Sequence, residues 1–164
     1  MKNASLFFLL LFCVTIAQAQ QEFQTHEDLK AWLPAELSGY IQDADNHSSE
    51  QQVQGSAYFI AAKQYKKATS VISVVIIDYR KSATAITAVT SVWEDGKAVE
   101  NDVIQSRNIT IDNHKVKEVY DKKNGSSQLY VYYKDRYLIT LSAKGDNVNL
   151  LKQAATNLPF SRLP

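Results

Sequence analysis

The chain has 164 residues, 45% of them apolar and 21% charged, with 18 basic against 17 acidic side chains and a single cysteine. That length and apolar content suit one domain with a hydrophobic core, and exclude a disordered tail or a collagen-like fibre. The near-neutral balance argues against a nucleic-acid partner, which needs a basic surplus or a strongly basic face, and one cysteine makes neither an internal disulfide nor a cysteine-based zinc site.

Leu6–Ile16 (LFFLLLFCVTI) follows Lys2 and is apolar apart from Thr15; Ala17-Gln18-Ala19 then supplies a small-x-small pattern. These features predict a secretory signal peptide over 1–19, cleaved before Gln20, and a periplasmic or secreted product over 20–164. Eleven residues cover about 17 Å of a ~30 Å hydrocarbon layer, too little to span it. Acylation at Cys13 needs a small residue before it, and Phe12 stands there. No later stretch reaches 18 consecutive apolar residues, so no transmembrane segment is expected after cleavage. The triplets at Asn46, Asn108 and Asn124 read as glycosylation sequons, but chance supplies such triplets readily in an Asn- and Ser-rich chain.

Thr25 predicts a capped helix over His26–Leu33, with Leu29, Trp32 and Leu33 on one face. Gln42–Gln52 contains a single apolar residue, Ala44, and reads as a surface loop. Strands are predicted over Gly55–Ala62 and Val71–Ile77, the latter a β-branched run typical of a strand covered on both faces, with polar Lys63–Lys67 as their hairpin connection. A helix is expected from Ser82 to about Asp95, ended by Gly96. Lys97–Ser106 is ambiguous. Arg107–Ile111 and His114–Tyr120 flank Asp112-Asn113, a two-residue turn that sets Ile111 opposite His114, Ile109 opposite Val116 and Arg107 opposite Glu118. A second turn contains Asn124-Gly125. Lys134-Asp135 forms a third, which would pair Val131 with Leu138, Tyr130 with Ile139 and Tyr132 with Tyr137. Val148, Leu151, Ala155 and Leu158 mark a closing helix stopped by Pro159. The expected fold is α+β: a single domain with an antiparallel sheet of about six strands and two to three packed helices.

This element order and size resemble the small α/β sandwiches of the PsbP-like superfamily. The Leu33-Pro34…Leu37-Ser38-Gly39-Tyr40 opening and the Asp135-Arg136-Tyr137-Leu138-Ile139 hairpin are similar to those of small exported bacterial proteins. The resemblance implies an accessory or binding role, and carries no catalytic residue onto this chain.

No Gly-x-Ser-x-Gly, zinc-type histidine spacing or glycine-rich phosphate loop occurs, and no cofactor is expected. The least poor catalytic candidate is a hydrolase site at His114 beside Asp112, with Ser127 or Ser106 as its serine; the plainer reading is a turn histidine paired across strands. Asp43, Asp45, Asn46, His47 and Glu50 concentrate ligands for a divalent cation, but Ser48 and Gln54 stand where an EF-hand loop needs Gly and Glu, so a solvated polar segment is favoured. Carboxylate pairs such as Glu94/Asp95 lie in polar sequence that offers no burial to raise a pKa. Tyr130, Tyr132 and Tyr137 with Arg136 crowd one hairpin, and tyrosine gives large contact area with a polar tip. Cross-strand packing that only stabilises the sheet is the competing explanation. The reading that results is an exported, non-catalytic binding module that contacts an envelope protein or ligand through its sheet.

Overall fold

Thr25 lies in extended backbone, its Oγ1 accepting from the Asp28 N–H at 3.2 Å while the Asp28 carboxylate accepts from the Thr25 N–H at 2.9 Å. This reciprocal cap starts α1 (His26–Trp32), as the spacing predicts. The computed structural model describes residues 23–53, 56–80, 82–94 and 97–164, without the side chains of 44, 45, 53, 56, 83 and 92–94. The predicted signal peptide lies outside the described residues.

Nine strands build one antiparallel sheet: β1 (Glu36–Leu37), β2 (Tyr40–Val53), β3 (Ser56–Lys67), β4 (Ser70–Asp78), β5 (Val99–Glu100), β6 (Ile104–Ile111), β7 (His114–Asp121), β8 (Ser126–Tyr133) and β9 (Tyr137–Lys144). Helix α2 (Ala83–Glu94) joins β4 to β5, and α3 (Val148–Thr156) follows β9. The spatial order is β1-β2-β3-β4-β9-β8-β7-β6-β5, so two meanders meet at the β4–β9 seam. Both α+β character and antiparallel pairing are as expected; the sheet is wider than the six strands predicted.

The added strands are β2 and the two-residue β1 and β5, and a second polar segment lengthens β3. Gln42–Gln52, expected as a loop, runs inside β2, with a bulge between Gln42 and Asn46. As an outer strand against β3 it needs little apolar content, and α1 holds it through hydroxyl contacts: Ser48 Oγ donates to Glu27 at 2.5 Å and lies 3.0 Å from His26 Nδ1. Lys63–Lys67, expected as a turn, completes β3 instead. Lys63 and Tyr65 point into the core, where Lys63 Nζ donates to the Leu33 carbonyl at 2.6 Å and the Tyr65 hydroxyl to the Pro34 carbonyl at 2.9 Å. These bonds satisfy acceptors that the end of α1 leaves open.

Helices α1 and α3 cover one face of the sheet. Leu29, Trp32, Leu33, Leu151, Ala155 and Leu158 bury there against Ile72, Val74, Ile76, Leu129, Val131, Ile139 and Leu141. Among the described residues the opposite face receives only α2, whose Ile86 seats on Tyr79 and Leu138, with Ala85 and Val89 beside Tyr58, Ile77, Tyr130 and Tyr132. Strand β4 is therefore covered fully on one face and only in part on the other, where Val71, Ser73 and Val75 keep partial exposure.

The β6–β7 hairpin has the predicted register, with Asp112 and Asn113 both at positive φ (47° and 64°) as a twisted two-residue turn requires. The β8–β9 register is shifted by one: Tyr133 opposes Tyr137, Tyr132 opposes Leu138 and Val131 opposes Ile139. Arg136 is the extra residue. Its Nε and Nη2 donate to the Asp78 carboxylate at 2.7 and 2.8 Å, and its carbonyl accepts from Tyr79 N–H at 3.0 Å. Because side chains alternate, the slip puts Ile139 in the main core and Leu138 under α2.

Candidate functional site

The shifted register decides where the tyrosines go. Tyr137 is fully buried on the face covered by α1 and α3. Tyr130 and Tyr132 lie half-buried on the other face, under α2. Arg136 is held by Asp78, with its guanidinium 5.0 Å from the Tyr137 ring centre. The four residues thus divide between the two sides of the sheet. Burial pushes the Tyr130 hydroxyl up, and lifts Tyr132 to about 12 with help from Asp135.

His114 packs edge-on to Tyr133, centroids 4.9 Å apart, and 4.7 Å from the Phe160 ring. Ser127 pairs with Tyr120, six positions along β7 from His114 or about 20 Å. It is fully buried, its Oγ donating to the Gly145 carbonyl and accepting from Asn147 N–H, both at 2.9 Å. Ser106 opposes Val119, on the other side of the sheet from His114. Neither serine is brought to the imidazole. In the Asp43–Glu50 segment, Asp43 pairs with Lys66, His47 and Glu50 are exposed, and the Asp45 side chain lies outside the described residues. No group of three or more His, Cys, Asp or Glu among the described residues is placed to hold a metal ion.

The feature that sequence reasoning passed over is the part of the sheet that α2 leaves bare. Two shallow hollows lie there, of about 590 and 480 Å³. Val71, Ser73, Ser126, Gln128, Ser142 and Lys144 border the larger, over β4, β9 and β8. The smaller, over β2 to β4, is bordered by His47, Ala62, Gln64 and Val75, and shares Ser73. These positions alternate with core residues along each strand: Ser73 sits between Ile72 and Val74, and Ser142 between Leu141 and Ala143. A third hollow of about 360 Å³ adjoins at Gln128 and runs beneath Val89 of α2. The signal was present in the sequence as single hydroxyl residues breaking apolar runs, VISVVII and LITLSA.

No protein-family model matches this chain, and neither does any curated protein or solved structure. The geometry alone carries the functional argument. The bare face offers hydroxyl and carboxamide groups that both donate and accept hydrogen bonds, set on rigid strands beside a thin apolar strip, Val71 and Val75. Such a surface can hold a polar ligand in a fixed orientation.

Proposed function

We propose that this chain is an exported, non-catalytic binding or accessory module that contacts an envelope protein or ligand through the uncovered part of its sheet. One observation carries the reading: five adjacent strands, β2, β3, β4, β9 and β8, present a surface of Ser and Gln side chains beside Val71, Val75 and Ala62 that no helix among the described residues covers. The resemblance in element order to PsbP-like sandwiches supports an accessory role, and the Leu6–Ile16 run with Ala17-Gln18-Ala19 supports export.

A photo-crosslinking amino acid placed at Ser73 tests the contact face in the producing cell. An adduct of raised mass is expected from position 73 and none from position 123, in the exposed β7–β8 turn. No adduct at 73, or equal adducts at both positions, would remove the face. For export, the purified protein should begin at Gln20 by mass spectrometry; retention of Met1 would overturn that part.

A further inference from the structure

The two hollows meet at Ser73, and their charge is one-sided. Among the described residues bordering them none carries a carboxylate. The cation facing solvent is Lys144, exposed at the end of β9, with Lys63 bordering from the core side; His47, exposed on β2, adds an imidazole at the other end. Farther along the same face Lys117 borders the adjoining hollow and Lys115 is exposed on β7, while the neighbouring acids are engaged, Asp121 by Asn124 and Asp43 by Lys66. Between His47 and Lys144 run Gln64, Ser73, Ser142, Ser126 and Gln128. From β2 to β8 the groove crosses four strand spacings, about 19 Å, which suits an extended chain better than a single small ring.

We propose that this groove binds an extended acidic polysaccharide. The inference rests on the contact-face reading above and names the ligand for it. Serine hydroxyls and glutamine carboxamides donate and accept at once, as sugar hydroxyls do, so a row of them can match a glycan unit after unit. Val71 and Val75 provide a flat apolar strip for the C–H faces of the sugar rings. Lys144 meets carboxylate charge with a charge-assisted hydrogen bond. A peptide would instead be read by deep apolar pockets or by strand addition at a sheet edge, and this groove lies on the middle of the sheet.

Fluorescently labelled oligomers of polygalacturonate, titrated into the purified protein at low salt and followed by anisotropy, test the proposal. Saturable binding is expected, weakened on the order of tenfold by Lys144→Gln and by Ser142→Val. Lys123→Gln, in the exposed β7–β8 turn, should bind as the parent does, and urea melts confirm that each variant is folded. The proposal is overturned by absence of saturable binding, by parental affinity in Lys144→Gln, or by equal competition from polyglutamate or single-stranded DNA, which would mark a general anion surface. A photo-adduct from position 73 without polygalacturonate binding would remove the polysaccharide and keep the face; loss of both would remove the face as well.

Discussion

Asp78 is fully buried, and three donors converge on it: Arg136 Nε and Nη2, and the Arg80 N–H at 2.8 Å. A paired guanidinium matches a carboxylate in plane, which a lysine cannot do. Removing one partner of such a pair strands the other charge, with a penalty of about 3–5 kcal/mol. Arg136→Met should therefore lower stability by about 3 kcal/mol or more in urea unfolding, and the double change Asp78→Leu/Arg136→Met should recover much of that loss. This pair also explains why the β8–β9 register was not legible. Lys134-Asp135 announces a two-residue turn, and both residues do take positive φ (53° and 49°). The bulge after them is set by a carboxylate 58 residues away, which no local pattern reveals.

At the scale of elements, sequence patterning succeeded where one local rule decides. The α1 cap is such a case. Thr25→Ala should destabilise by about 1 kcal/mol in thermal or urea melts, since it removes the acceptor for the Asp28 N–H. An unchanged midpoint would mean that α1 is held by its packing alone. Hairpin β6–β7 was equally legible, because Asp112-Asn113 fixes both turn and register. Strand β2 was not. Its apolar content is low because one edge is free beyond β1 and its contact with α1 runs through Ser48, His26 and Glu27 rather than a hydrophobic row. The candidate site failed to register for a related reason. A serine inside a β-branched run reads as noise until the sheet shows that Ser73 and Ser142 lie on neighbouring strands, paired in register.

For the molecule as a whole, the tyrosines set the response to alkali. Tyr65, Tyr79, Tyr130 and Tyr132 all sit above the ordinary value of 10, each chiefly through burial, and Tyr132 at about 12. Above pH 10 the unfolded chain ionises these hydroxyls before the folded one does, so it binds fewer protons and stability falls as pH rises. Lys63 acts in the opposite sense. Burial, then the Lys30 charge, hold it below 10.5, so the folded chain releases that proton first and stability gains as pH climbs toward 10.5. Four groups oppose one, and the net expectation is a urea midpoint that drops between pH 10 and pH 12. Tyr132→Phe should make that drop shallower; an identical pH profile would show that the hydroxyl is not withheld from water.

Every strand but the two at the seam pairs only with its neighbours in sequence, and seven residue pairs from Ile72–Ala143 to Asp78–Tyr137 close that seam. Helix α2 supplies no strand pairing there and only packs on Ile77 and Leu138 at one end, although it is the covalent tether between the halves. A protease nick within α2 should therefore leave fragments that travel together on a gel-filtration column and part only in denaturant. The same two pieces, expressed separately, are expected to reassemble, which would make this protein a natural scaffold for a split reporter.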